Sequence, residues 1–247
     1  MASTAHHLVV ANRDPITPNM IRFTLTGDSL ADFPEGFEGG YVKLVFPRPE
    51  GGRPLFRSYT VRSFDPVTLV LVIDIVSHGA AGPAGRWASE SSVGDRVIVA
   101  GPGPCRRLHT DAEWFLIAGD MSALPAIEVN LGLLPDDAAG HAVLEIIDPA
   151  DRREIQRPKG IELTWVVNNE PATPNHMLQD AVMALALPNR KMSAWVAGEY
   201  ASARALRQYL RYDRPVDRNS LYVSSYWKIG ETDEGMKAAK GADSEPW

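Results

Sequence analysis

One cysteine, Cys105, stands in a chain of 247 residues. An intramolecular disulfide, a four-thiolate iron–sulfur cluster and a cysteine redox pair are therefore excluded. If this protein moves electrons, an organic cofactor carries them. Long apolar runs are also missing: the longest, Leu69 to Val76, is broken by Asp74 and falls short of the ~20 residues a membrane helix needs. Met1 to Val10 lacks a basic segment followed by an apolar stretch and a small-residue cleavage site. A cytoplasmic protein without stable membrane insertion is expected. Positive charge is scarce, with 25 Lys and Arg against 31 Asp and Glu and a formal net charge of −6. Nucleic-acid binding relies on a basic footprint and is not expected, and an anionic ligand has to be met by a local basic cluster. No G-x-G-x-x-G follows a candidate strand, and the six histidines show no H-E-x-x-H or comparable spacing. His6-His7 reads as an accident of the N-terminus.

What is present reads as two domains. Residues 1–104 are β-rich: Met20 to Thr26 alternates apolar Ile21, Phe23 and Leu25 with polar neighbours, and Tyr41 to Phe46, Ser58 to Arg62, Leu69 to Val76 and Asp95 to Ala100 are rich in β-branched and aromatic residues. Several short strands with turn signals between them predict an antiparallel β-barrel. The cluster Gly101-Pro102-Gly103-Pro104 closes it.

From residue 105 to 231 the rhythm becomes strand then helix. Trp114 to Ala118, His141 to Ile147, Glu162 to Val167, Ser193 to Val196 and Leu221 to Ser224 read as strands; Ser122 to about Leu134, His176 to Leu187 and Ala201 to Tyr212 read as helices. This alternation predicts an α/β domain with a parallel sheet whose ligand site lies at the carboxyl ends of the strands. Residues 232–247 read as a tail, either a short polar helix or disordered.

Two runs in the first domain carry chemistry. Arg57-Ser58-Tyr59-Thr60 sets a guanidinium and a phenol on one face of a strand-like segment, because side chains two apart point the same way. Gly79-Ala80-Ala81-Gly82-Pro83-Ala84-Gly85-Arg86-Trp87 places three glycines and a proline where a short helix would start, so that backbone amides can approach an anion. Together they fit a dinucleotide carrying an aromatic ring system.

These runs, with Gly119 to Ile127, Ala197-Gly198-Glu199 and Tyr226-Trp227 further on, resemble the siderophore-interacting protein family of FAD-dependent ferric-siderophore reductases, within the ferredoxin reductase-like superfamily. Five spaced blocks in the family's order cover nearly the whole chain, where one block alone would carry little. The resemblance implies an FAD-binding barrel and a second domain like those that bind nicotinamide nucleotides. It places FAD on Arg57, Ser58, Tyr59 and Thr60, on the amides around Gly82, Pro83 and Ala84, and near Trp87, with Asp74, His78 and Tyr226 as further contacts. Pro83 has no N–H, so Ala84 and Gly85 must supply the amide bonds.

The nicotinamide nucleotide, NADH or NADPH, is implied at Asp120, Ser122 and Ala123, with Ser122 as helix N-cap and its hydroxyl towards a phosphate. Met121 departs from the acidic residue the family commonly has there. Asp148 would favour a free ribose and Arg152 or Arg153 a 2′-phosphate, so the two nucleotides are not separated; ferredoxin is the other donor. Lys43, in the family's Tyr-Val-Lys-Leu segment, with Arg48, Arg106 and Arg107, is implied to hold the acidic ferric siderophore. Two other readings stand beside this one: a flavin or ferredoxin-type reductase with another acceptor, and a non-catalytic siderophore-binding protein.

Overall fold

The computed structural model describes residues 5–48, 51–77 and 82–243. The chain divides into two compact units, residues 1–106 and 107–247.

The first unit is a seven-stranded antiparallel sheet. Its strands are β1 (Ala5–Thr17), β2 (Met20–Thr26), β3 (Tyr41–Phe46), β4 (Leu55–Thr60), β5 (Ser63–Asp65), β6 (Val70–Val76) and β7 (Arg96–Ala100), with one helix, α1 (Gly82–Glu90), between β6 and β7. The spatial order is β4-β3-β7-β1-β2-β6-β5, and β4 also lies against β6, so the sheet curls around one core. Alternation drives this: Leu8 and Val10, Phe23 and Leu25, Val42 and Leu44, Leu71 and Ile73, Val97 and Val99 all turn inward and are buried. Each such side chain contributes about 1.5–3 kcal/mol of burial.

The thirteen-residue β1 is an element that the sequence pattern does not announce. It pairs with β2 and β7, with irregularities between Val10 and Asn12 and between Pro15 and Thr17. His6 is 1% exposed, its ring edge-on to Phe33 and its Nδ1 2.6 Å from the Ser29 carbonyl oxygen. It is thus a core residue of β1, and the reading of His6-His7 as a terminal accident is corrected for His6. The strand expected over Ser58 to Arg62 runs instead over Leu55–Thr60, paired in register with β3.

The second unit has five strands, β8 (Trp114–Gly119), β9 (Ala139–Ile146), β10 (Gly160–Val167), β11 (Met192–Glu199) and β12 (Leu221–Trp227), with helices α2 (Leu124–Gly132), α3 (Met177–Met183), α4 (Tyr200–Gln208) and α5 (Asp233–Ala242). All its pairings are parallel, in the order β10-β9-β8-β11-β12. Counted within the unit, this is a 3-2-1-4-5 arrangement, with its topological switch point between β8 and β11. Such strands are covered on both faces and read as nearly continuous apolar runs: Phe115 to Ala118 and Ala194 to Ala197 are all buried.

The C-terminal residues expected as a tail include α5, which is held to the second unit by polar pins. Asp243 accepts a hydrogen bond from the Arg207 guanidinium at 2.7 Å and lies 3.5 Å from that of Arg204, while Lys240 donates to the Ser225 carbonyl at 3.0 Å.

Candidate functional site

In the first unit the cross-strand register places the motif residues. Arg57 stands opposite Leu44 and Tyr59 opposite Val42, so both turn to the core side of β4, half-buried, and Tyr59 packs against the core cluster. Arg57 also donates to the Phe56 carbonyl at 2.9 Å. Thr60 is buried and Ser58 exposed. Lys43 faces Ser58 and Ala100 on the other side of the sheet, its ammonium 5.8 Å from the Tyr41 ring centroid. The structure therefore brings Arg57 and Tyr59 together and sets Lys43 on the opposite face. Arg48 donates to the Arg53 carbonyl at 2.9 Å, and Arg106 and Arg107 are exposed.

Gly82 has φ of +73°, and among the described residues outside its own chain neighbourhood no atom lies within 4 Å of the point a Cβ would occupy, so glycine suits that position by its conformation. The helix that follows begins Gly82-Pro83-Ala84-Gly85, and the first amides of a helix have no acceptor within it. Gly79 to Ala81 and His78, an expected flavin contact, lie outside the described residues. Trp87 turns into the barrel, its ring 4.6 Å from that of Phe23 and 6.4 Å from that of Phe46. In this position it anchors α1 to the core. Asp74 is likewise committed within the protein. Its side chain is fully buried, Arg22 donates to both carboxylate oxygens at 2.7 and 2.8 Å, and Arg62 Nε lies 3.9 Å away.

A guanidinium beside a half-buried phenol, together with a helix start at a positive-φ glycine, is a donor set that fits FAD. Arg57 and the Ala84–Gly85 amides suit its pyrophosphate, and Tyr59 suits its flat ring.

In the second unit the carboxyl edge of the sheet is organised by Asp120, which is 6% exposed. Its carboxylate accepts from the Ser122 N–H at 2.9 Å and the Ser122 hydroxyl, from the Glu199 N–H at 2.8 Å and from Trp227 Nε1 at 2.7 Å. Burial pushes its pKa up, against these bonds, which favour the charged form. Gly198 has φ of +151°, and a Cβ there would meet Asp120 Oδ2 at 2.6 Å, so only glycine leaves room for this carboxylate.

Glu199 caps α4, accepting from the Ala201 and Ser202 N–H groups, and also accepts from the Ile229 N–H at 3.3 Å. Glu145, 9% exposed, accepts from Asn168 Nδ2 at 3.0 Å. Its pKa is raised first by burial, then by the charges of Asp120 and Glu199.

Several expectations change here. Ser122 is not the helix N-cap: α2 begins at Leu124 after Ala123, with no side-chain cap, because the Ser122 hydroxyl and N–H are both turned back to Asp120. Arg153 is held by Glu128 at 2.5–2.8 Å rather than presented to a 2′-phosphate. Asp148 caps the short turn Pro149–Asp151, and Arg152 is exposed. Tyr226 packs edge-on to Trp195 at 6.4 Å. Glu145 and Asn168 carry no motif in the sequence; a carboxylate inside the apolar run Ala142 to Ile147 is the one signal available there.

An antiparallel β unit followed by a 3-2-1-4-5 parallel unit defines a ferredoxin reductase-like fold. The ferredoxin reductase of carbazole 1,9a-dioxygenase shares that fold, with a TM-score of 0.66 at 18% identity over 89% of this chain and 66% of that one. The siderophore-interacting FAD-binding domain matches residues 9–54 and 48–105, and the siderophore-interacting protein model matches residues 112–230. The chain is 34% identical to ferric vibriobactin reductase ViuB of Vibrio cholerae over 238 residues, 89% of this chain and 88% of the relative. The crystal structure of the siderophore-interacting protein SipS from Aeromonas hydrophila superposes with a TM-score of 0.86 at 31% identity, covering 97% of each chain. This chain belongs to the siderophore-interacting protein family.

Proposed function

We propose that this protein is an FAD-dependent reductase that takes a ferric siderophore as substrate and releases ferrous iron in the cytoplasm, with NAD(P)H or ferredoxin as electron donor. The enzyme is a ferric-siderophore reductase. The observation that carries this reading is the 34% identity to a ferric-siderophore reductase over 89% of the chain, joined to the Arg57, Tyr59 and Gly82 donor set described above. FAD, when bound, supplies the exchange between paired and single electrons that no side chain of this protein offers.

The protein's own part is placement. Arg57 and the amides of Ala84 and Gly85 hold the pyrophosphate, Tyr59 lies along the ring and Thr60 offers its hydroxyl or amide to the flavin edge. Lys43, Arg48 and Arg106 of the first unit, and Arg107 of the second, are the cations proposed to attract an anionic complex to an acidic protein. The hard oxygen donors of a siderophore suit ferric iron and hold ferrous iron much more loosely, so no protein metal ligand is needed for release.

Anaerobic mixing of the reduced, FAD-loaded protein with several ferric siderophores tests the reading, with flavin reoxidation followed by absorbance and ferrous iron trapped by a colorimetric chelator. Reoxidation matched by ferrous iron is expected. No reoxidation by any ferric siderophore would sink the proposal.

A further inference from the structure

The outer face of the antiparallel sheet carries an opening that the flavin site does not use. Side chains alternate along β3, β7 and β1, so Leu44, Val99 and Leu8 turn to the core while Val45, Ile98 and Val9 turn outward. The ladder between β3 and β7 runs from Lys43–Ala100 to Val45–Ile98 and stops there, whereas the ladder between β7 and β1 continues to Arg96–Val9. Pro47 follows β3 and has no N–H with which to extend the pairing. Where the strands part, a cleft of about 570 Å³ opens, lined by Val45, Pro47, Ile98 and Val9 together with Trp87. That volume is in the range of small-molecule sites. Phe56, opposite Val45 on β4, extends the apolar strip, and Val9, Phe56 and Ile98 are large apolar side chains left exposed. Contiguous apolar strips bordered by polar groups mark binding surfaces.

The polar side chains lining the cleft are Arg96 and His7, both exposed. No carboxylate lines it, and among the described residues none is bonded to Arg96. A symmetric dimer through this face would bring two Arg96 guanidinium groups into one interface patch with no acid to meet them. A cation without a counter-charge beside apolar walls suits a small ligand with an apolar body and an anionic head, and the planar guanidinium fork matches a carboxylate at two points. Arg57 and Tyr59 turn to the other side of the same sheet, so the cleft is separate from the donor set proposed for FAD.

We infer that this cleft is a second binding site of the first unit, taking a small carboxylate whose apolar body lies on Val45, Ile98 and Val9 and whose anionic head is held by Arg96.

The probe is 2-naphthoate, titrated calorimetrically into the FAD-loaded protein, with 2-naphthamide as its uncharged counterpart. Saturable binding of the anion with a Kd on the order of 100 µM is expected, and binding of the amide weaker by about tenfold or more. Arg96→Gln removes the charge and keeps a donor, so it should lower the affinity for the anion to that for the amide. Ile98→Trp fills the cleft from an exposed position and should abolish binding of both. Melting curves establish that each variant is folded, and either folded variant suffices to decide. Absence of saturable 2-naphthoate binding below about 5 mM, equal affinity for anion and amide, or unchanged affinity in a folded variant overturns the inference. So does binding that appears only when FAD is removed, which would place the probe in the flavin site, and so does a concentration-dependent dimer in sedimentation that Ile98→Trp breaks. Iron release is no part of these readouts, so the reductase reading stands or falls separately.

Discussion

Trp227 Nε1 donates to the Asp120 carboxylate at 2.7 Å, joining the last strand of the parallel sheet to the first across 107 positions of sequence. The same oxygen accepts the Glu199 N–H, so one buried carboxylate ties together the ends of β8, β11 and β12. Substitutions can separate residues that hold the fold from those proposed to hold cofactor or substrate.

Arg57→Ala is expected to weaken FAD binding by about tenfold or more, since a charge-assisted bond to phosphate is worth roughly 1.5–3 kcal/mol. Its half-buried place on the edge strand β4 keeps the fold intact, and apo-protein melting checks that point. Fluorescence titration with FAD is the measurement. Unchanged affinity would remove Arg57 from the cofactor site.

Lys43→Ala should raise the apparent KM for an anionic ferric siderophore, with a loss that shrinks as salt screens the attraction, and should leave a neutral ferric chelate nearly unaffected. Lys43 lies on the sheet face opposite Arg57 and Tyr59, so flavin affinity should not change. Steady-state iron release at two ionic strengths distinguishes this from a solvated strand lysine, for which neither substrate class would respond.

Asp74→Ala is expected to destabilise the first unit by about 3 kcal/mol, the lower end of the range for a broken buried ion pair. The lower end applies because the Arg22 and Arg62 side chains are 31% and 30% exposed while that of Asp74 is fully buried. The loss should appear in the melting of FAD-free protein. If melting is unchanged and only FAD affinity falls, Asp74 belongs to the cofactor site and not to the frame of the barrel.

Glu145→Gln should stabilise the protein at pH 8 and lose that advantage on acidification. Burial raises the Glu145 pKa above its ordinary 4.5, so the folded state binds this proton more tightly than the unfolded state. Ionising Glu145 therefore costs stability above the folded pKa, and the cost disappears as pH falls through it towards 4.5. Melting temperatures of both proteins between about pH 8 and pH 5 should converge at the acid end. A constant difference across that range would show that the substitution acts through packing instead.

Local features are legible in the chain alone. Alternation in Met20 to Thr26 and Tyr41 to Phe46 sets those strands to the residue, because a period of two buries one face wherever a strand meets a core. The strand-helix rhythm after residue 105 carries the parallel sheet, and the R-x-Y-T run carries its own two-residue facing. Other features are invisible in any short window.

The alternation of β1 is masked by histidine and interrupted near Pro15, so only pairing with β2 and β7 makes it a strand. Ser122 carries a good N-cap side chain, yet Asp120 claims it because a buried carboxylate without donors would cost far more than one uncapped helix end. Asp120, Glu145 and Glu199 read as unrelated acids along the chain. Only the 3-2-1-4-5 strand order brings them to one edge, where the charges of Asp120 and Glu199 add to burial in raising the Glu145 pKa. Hydrogen bonds that span 79 and 107 positions depend on which strands become neighbours, and that is decided by the packing of the whole sheet.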